Sequence, residues 1–421
     1  MNIAIIGSGG REHAFCQKIR QSKLTKNLYC LPGNGGTAKI AKNIDININN
    51  FGSVYKFIKK NKINLVIVGP EEPLVNGIVD YLLKRKIDVF GPSKKASQLE
   101  GSKIYVKKLC KVKKIPTAQF KICHNLKQVK KFIKLFKLPM VVKVDGLASG
   151  KGVFICKTYD EVIKNSEKIF KGNFKNSKKL ILEEFLEGEE MSFFLIVDKK
   201  TFKFFGSAQD HKRVGENETG PNTGGMGAYS PSLLLNKKIK KNIINNIVKP
   251  TLDYLRTKKI FYKGILYVGL IIKNNKPYLV EYNVRMGDPE CQSILPLIKS
   301  DLVNICISVI KNRLSRQKII WHKKKSMTIV LCSKGYPGKI KKNMEIKNLN
   351  KIKENNNNFI FHSGTKVIRN KYFNTGGRVL NIVSIGKNFS SIKRSILVKL
   401  KKINWKDGFY RKDIGWRIWS R

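Results

Sequence analysis

The chain has 421 residues, 42% of them hydrophobic and 10% aromatic, which predicts roughly two to four domains and excludes a disordered polymer. Its 84 Lys and Arg against 29 Asp and Glu give a formal net charge of +55, a sign that suits nucleic acid, anionic lipid or phosphorylated small molecules. The excess is spread along the chain, through connectors such as residues 237–246, so compositional drift in an AT-rich gene competes with a selected anionic partner.

From the start, short apolar runs alternate with helical patterns: residues 3–6, a helix from Arg11, then 28–31, a helix near 54–58, 65–68, a helix around 75–83, and 89–90. That rhythm predicts a parallel sheet with crossover helices. The loops at 7–10, 33–36 and 69–72 each follow a strand and so share the carboxyl edge, where open α/β sheets bind ligands. Near Gly101 the rhythm changes, and residues 140–144, 180–185, 192–197 and 203–207 read as strands of a more antiparallel domain. Residues 265–272 and 277–282 alternate across a turn containing two Asn, a hairpin signature. Ser300 is the expected N-cap of a helical run at 302–310. After Trp321 comes a basic linker, then strands at 327–332, 359–366 and 378–385 with a helix near 392–400. The expected architecture is multidomain α/β and α+β, with divisions at 1–100, 101–325 (101–190 and 191–325) and 326–421.

The eight cysteines form no C-x-x-C pair and no zinc-like spacing with His. Cys30 and Cys306 stand in apolar runs, which predicts buried thiols and a reducing compartment. Met1 leads straight into an apolar run and no apolar stretch reaches membrane-spanning length, so a soluble cytoplasmic protein is expected, without a signal sequence, a membrane or a specific nucleic-acid partner.

Chemistry first appears in GSGGREH, residues 7–13, where a strand-to-helix turn offers amides to a phosphate. Glu12 stands where a dinucleotide fingerprint has its third glycine, so a nicotinamide cofactor is not expected. A tight turn with no ligand remains the plainer reading of that loop. VVKVDGLASGKGV, residues 141–153, is more specific: Lys143 at a strand end, then a glycine hairpin with Gly150, Lys151 and Gly152, suits the β- and γ-phosphates of a nucleotide. In LILEEFLEGEE, residues 180–190, the backbone around Glu183, Glu184, Phe185 and Leu186 can meet an adenine edge, and Glu190 can accept from ribose hydroxyls. LVEYNVRMGDPE, residues 279–290, puts Glu281, Asn283 and Arg285 at alternate positions of a strand, hence on one face; oxygen ligands suit Mg2+, and the Arg suits a carboxylate or phosphate.

Lys143, the glycine hairpin, the Glu184 hinge and the Glu281/Asn283 pair together resemble an ATP-grasp site. GSGGREH, VGPEEPLVNG (68–77), QDHKR (209–213), TGPNTGGMGAYSP (219–231), GDPE (287–290), GYPG (335–338), GGRVL (376–380) and RKDIGWR (411–417) resemble the glycinamide ribonucleotide synthetase family of phosphoribosylamine-glycine ligases, in family order over nearly the whole chain. The resemblance implies a Rossmann-like substrate-binding domain, an ATP-grasp core with a nucleotide lid, and a small mostly β C-terminal domain. It implies ligation of glycine to 5-phosphoribosylamine in purine biosynthesis, with ATP converted to ADP and phosphate through glycyl phosphate. By the same resemblance Lys103, Lys143 and Lys151 face phosphates, Glu281 and Asn283 hold Mg2+ or Mn2+, and Gly9, Gly10, Arg11, Glu71 and Glu72 receive the phosphoribosyl group. Asp210, Lys212, Asn222, Gly224, Gly225 and Met226 border the amine and glycine, and Arg285 clamps a carboxylate; Asp210 paired with Lys212 or Arg213 is the structural alternative. A monomer or weak homodimer, with no second activity fused to it, is expected.

Val144, Ser149, Val284, Met286 and Cys291 depart from the family's usual residues, and none of them is a proposed ligand. Two rival readings stay open at this point. One keeps the nucleotide site but uses another carboxylate, such as bicarbonate or formate. The other is a basic nucleic-acid-binding protein, which would need base-stacking aromatics beside Lys or Arg; Phe193, Phe194, Phe204 and Phe205 instead stand in apolar runs.

Overall fold

The computed structural model describes residues 1–148, 152–172, 174 and 178–420. Its first sheet holds β1 (Asn2–Gly7), β2 (Asn27–Pro32), β3 (Lys42–Asn43), β4 (Leu65–Val68) and β5 (Val89–Phe90), all parallel in the order β3-β2-β1-β4-β5. Ile3 to Ile6 are wholly buried, as a parallel strand covered on both faces requires. Helix α1 (Gly10–Arg20) leaves the end of β1, so the first glycine loop lies at the carboxyl edge as expected. The single helix expected around 75–83 is two, α2 (Glu71–Asn76) and α3 (Ile78–Leu83). Gly77 divides them at φ 98°, a left-handed conformation in which its amide bonds the Pro73 and Leu74 carbonyls and closes the first helix.

Next comes a four-stranded antiparallel sheet, β6 (Phe120–Cys123), β7 (Met140–Val144), β8 (Val153–Cys156) and β9 (Leu180–Glu184), in the order β6-β9-β7-β8. It closes over its own small core, including Cys123, Met140, Val142, Leu180 and Leu182. β10 (Glu189–Val197), β11 (Phe202–Asp210), the flap strands β12 (Arg213–Gly215) and β13 (Thr219–Asn222), and β14 (Gly227–Ser230) follow. The hairpin β15 (Gly264–Lys273) and β16 (Lys276–Asn283) turns through Asn274 and Asn275, at φ 49° and 58°, which explains the two asparagines. Ser300 is not the cap of the helix at Leu302–Ile310. Asp301, one residue nearer, accepts from the Val303 and Asn304 amides, while the Ser300 hydroxyl accepts from Ile320 N–H.

The third region contributes β17 (Lys325–Ser333), and β14 pairs with it from Gly227↔Ile329 to Ser230↔Ser326. The central and C-terminal regions are therefore one nine-stranded sheet rather than two. Its path ends at Arg378–Gly386 and Asn358–His362, with Gly408–Phe409 beside β17. Phe193, Phe194 and Phe205 are wholly buried, and all eight cysteines are buried free thiols. Among the described residues no helix is long and apolar enough to cross a membrane.

Candidate active site

One wall of the cleft is built by β7, β9 and the helix α4 (Lys103–Lys113). The antiparallel register sets Val141 opposite Glu183, bringing Lys143 to the same end. Lys143 Nζ lies 2.7 Å from Glu183 Oε2 and Lys107 Nζ 3.1 Å from Oε1, all three side chains at most 10% exposed. Burial pushes the Glu183 carboxyl up, but the two ammonium groups outweigh it and hold it ionised. Lys107 is fixed further by Thr117 Oγ1 at 2.7 Å. Lys103, at the helix start, donates to Gly146 O at 2.8 Å. Asp145 accepts from Ser102 Oγ and Ile104 N–H, both at 3.1 Å, so the hairpin base is pinned to the amino end of that helix. A side chain at Gly152 would come within 2.6 Å of Ala148 Cβ, so the loop's return needs glycine. Gly150 and Lys151 lie outside the described residues. Glu184 and Gln119 exchange bonds, Glu184 N–H to Gln119 O at 3.1 Å and Gln119 N–H to Glu184 Oε1 at 2.8 Å, which fixes the half-buried turn into Phe185 and Leu186.

The facing wall is acidic. Glu281 sits opposite Gly269 and Asn283 opposite Tyr267, and Asn283 Nδ2 reaches Glu281 Oε1 at 3.5 Å. Burial raises the Glu281 carboxyl, yet Lys212, Lys143, Lys103 and Arg285 together keep it below the ordinary range. Four cations from separate segments thus act on one half-buried carboxylate. Arg285 does not share the strand face with Glu281, because β16 ends at Asn283. Its guanidinium turns to the first domain, with Nε 3.2 Å from Glu71 Oε2 and Nη2 2.8 Å from Glu100 Oε1. Glu100 Oε2 also accepts from Val284 N–H at 2.8 Å. Arg285 holds Glu71 down at about 2, whereas burial dominates at Glu100 and lifts it to about 7. Glu100 had no warning in the sequence: a lone acid ahead of the Ser102 cap resembles any surface residue.

Beside this pair, burial raises Asp210 to about 8. Asp210 is not the ion-pair partner of its neighbours: Lys212 Nζ lies 2.7 Å from Glu190 Oε2, and Arg213 donates to Gly220 O. Glu290 accepts from Ser192 Oγ at 2.9 Å and completes a ring of acids around Lys212. The Gly9 amide donates to Glu12 Oε2 at 2.6 Å and the Arg11 amide to Asp288 Oδ2 at 3.3 Å, so these two groups are engaged within the chain. Arg11 Nε is 2.6 Å from Glu12 Oε1, and the Glu12 carboxylate fills space that a side chain at Gly69 would occupy. Gly10 packs against Asn381 and Gln292; Glu72 is exposed beside Glu71.

Next to Gly9 a recess of about 410 Å³ opens between the first and third regions, lined by Asn34, Ser363, Thr365, Thr375, Gly376 and Arg378 among others. GGRVL was visible in the sequence, but nothing there tied Arg378 to the first domain. Arg378 Nη1 donates to Gly224 O and Asp288 O, each at 2.6 Å, and so ties the second glycine loop to the acidic segment. Gly225, at φ 113°, leaves room for Pro289, which a side chain would meet at 2.4 Å. Asn222 ends β13 at the mouth of this loop. Met226, expected to face substrate, is instead wholly buried with Cys332 and Tyr229 in the third core.

Comparison with known proteins matches residues 1–100 to the phosphoribosylglycinamide synthetase N domain, 101–291 to its ATP-grasp (A) domain and 326–417 to its C domain. The phosphoribosylamine-glycine ligase of Brucella melitensis is 41% identical over 422 residues, covering 100% of this chain and 99% of that one. The chloroplastic enzyme of Arabidopsis thaliana is 40% identical over 97% of this chain and 78% of its own length. The crystal structure of phosphoribosylamine-glycine ligase from Thermotoga maritima superposes with a TM-score of 0.87 at 31% identity, covering 98% of this chain and 100% of that one. A biotin carboxylase domain from Hydrogenobacter thermophilus shares the fold at a TM-score of 0.73 and 16% identity, over 97% of this chain and 91% of that one.

Proposed function

The chain belongs to the phosphoribosylglycinamide synthetase family, and from that premise we propose that it ligates glycine to 5-phosphoribosylamine, converting ATP to ADP and phosphate and releasing glycinamide ribonucleotide. The observation that carries the reading is the wall formed by Lys143 and Lys107 on Glu183 with Lys103 at the hairpin base, set against the Glu281/Asn283 pair. A triphosphate needs that positive wall, and a carboxylate undergoing phosphorylation needs neutralised surroundings.

A carboxylate oxygen of glycine attacks the γ-phosphorus of ATP, forming glycyl phosphate and expelling ADP. The amine of phosphoribosylamine then attacks the acyl carbon, phosphate departs with the C–O bonding pair, and the new amide nitrogen loses a proton. Lys103 and Lys143 hold phosphate oxygens, with Lys151 of the hairpin assigned the same task. The backbone of Glu184 to Leu186 meets adenine, and Glu190 meets ribose. Glu281 and Asn283 offer two oxygen ligands, and among the described residues no cluster of three or more His, Cys, Asp or Glu could hold a metal alone. This donor set fits a hard divalent ion completed by phosphate oxygens and water. Mg2+ or Mn2+ there would neutralise phosphate charge. The recess beside Gly9 is the proposed seat of the phosphoribosyl group, whose hydroxyls we assign to Glu71 and Glu72, and the loop from Asn222 to Gly225 with Asp210 and Lys212 borders the amine and glycine. We assign the chain to the cytoplasm as a monomer or weak homodimer, and its buried free thiols fit a reducing compartment.

The test is a coupled ADP-release assay with glycine and freshly made phosphoribosylamine. ADP release is expected only when both are present; release that depends on bicarbonate or formate instead refutes the assignment.

A further inference from the structure

The string at residues 411–417 has no role in the chemistry above, yet it contains the largest wholly buried side chain, Arg411. Removing a guanidinium from water is costly unless it is fully paired. Arg411 Nε and Nη2 reach Asp413 at 2.8 and 2.7 Å, Nη2 reaches Glu218 at 3.1 Å, and Nη1 donates to Arg213 O at 2.8 Å. The traffic also runs through backbone: Lys412 N–H donates to Glu216 Oε1, and Asn217 N–H to Asp413 Oδ2. Every partner outside the tail belongs to the flap, residues 213–222.

That flap needs support. β12 and β13 form a two-stranded sheet joined to no other strand, an arrangement marginal in water by itself. Its turn holds Asn217 and Glu218 at φ 54° and 57°, a left-handed pair that favours glycine. The root of the flap is gripped too. His211, wholly buried between Asp210 and Lys212, accepts from Gly415 N–H through Nε2 at 3.0 Å. Its own amide and carbonyl bond Gly227 O and Met226 N–H, and the Lys212 carbonyl accepts from Thr223. Ile414 packs where a side chain at Gly227 would stand.

Resting on the function proposed above, we infer that the C-terminal tail is a positioning element: Arg411 and Asp413, with the Gly415 amide, set the flap and thereby aim Asp210, Lys212 and the Asn222 to Gly225 loop at the amine and glycine. The test compares the full chain with Asp413→Asn and with Glu218→Gln, whose partly exposed flap position makes a folding failure unlikely to decide the result. Both variants should lose on the order of 10- to 100-fold in kcat/KM for glycine and phosphoribosylamine. Their affinity for a fluorescent ATP analogue should fall by no more than a few fold, because Lys103, Lys107 and Lys143 share no partner with the flap and only the Lys212–Glu190 pair at its root links the two. Hydrogen exchange at 213–226 should quicken while that of β7 and β9 stays unchanged. Unchanged flap exchange, or a nucleotide affinity that falls as far as the substrate term, overturns the inference. Absence of glycine-dependent ADP release in the unaltered chain would instead overturn the parent function, and the exchange measurement would still decide the role of the tail.

Discussion

The two walls of the cleft solve the same electrostatic problem with opposite signs. On the nucleotide wall one anion, Glu183, is shared by Lys143 and Lys107, with Lys103 close by. On the facing wall one cation, Arg285, is shared by Glu71 and Glu100, and Lys212 stands among Glu190, Asp210 and Glu281. Each wall therefore keeps an excess of its own sign that the protein leaves uncompensated. On the function proposed above, phosphate oxygens would complete the first, and a divalent ion or an amine the second. Buried charge of this kind persists only when geometry fixes it, which is why each shared ion is held from two sides.

The largest break in that comparison comes from Lys143→Met. Glu183 would keep Lys107 and the strand pairing would survive, but the positive wall would lose one of its ammonium groups. We expect kcat/KM for ATP to fall by about 10²–10³-fold in the ADP-release assay, the scale of losing one preorganised charge at a transferring group. A loss of only a few fold would mean that the wall's excess charge faces something other than phosphate.

Arg285→Met attacks the opposite wall and has a smaller expected effect, on the order of 10²-fold in kcat/KM for glycine. It leaves Glu71 and Glu100 without their shared cation, so some stability should be lost as well. Unchanged kinetics would remove Arg285 from the site and reduce it to a brace between the first domain and the metal strand. Fluorescent-nucleotide affinity measured alongside separates the walls, since it should follow Lys143 and not Arg285.

How much of this was legible in the sequence follows the range of the interactions. The Asn274-Asn275 turn is fixed by immediate neighbours, and Lys143, the hairpin base and the Glu184 turn stood out through local residue patterns, although the partners that hold them, Glu183, Ser102 and Gln119, lie 40 or more residues away. Arg285 was expected on the strand face of Glu281 but turns to the first domain, because nothing local reveals that β16 stops at Asn283. Met226 sits inside a glycine loop and looked like a site residue, although its backbone bonds to His211 and Val330 and its side chain packs in the third core beside Cys332. Glu100, Arg378 and Arg411 were invisible as functional groups for the same reason: their partners lie 184, 154 and 193 residues away. The shared sheet of β14 and β17 belongs to that class too, since strand pairing across a hundred residues leaves no periodic trace.

The smallest predicted effect is also the sharpest probe of the asymmetry between the two acids on Arg285. Glu71 is held ionised down to about 2, so its contribution is present above its ordinary 4.5 and is lost only as pH falls toward 2. Glu100 runs the other way: burial lifts it from 4.5 to about 7. Between those two values the folded chain keeps a proton that the unfolded chain has released, so stability falls as pH rises through that window and the loss is complete above about 7. Glu100→Gln cannot titrate. The stability difference between the variant and the unaltered chain, read from urea unfolding, should therefore grow in the variant's favour from pH 4.5 to 7 by on the order of 1–3 kcal/mol. A flat difference over that window would mean that Glu100 is ionised throughout and that Arg285 outweighs burial there, leaving the acidic wall about half a charge more negative at pH 7 than a carboxyl titrating near 7 allows.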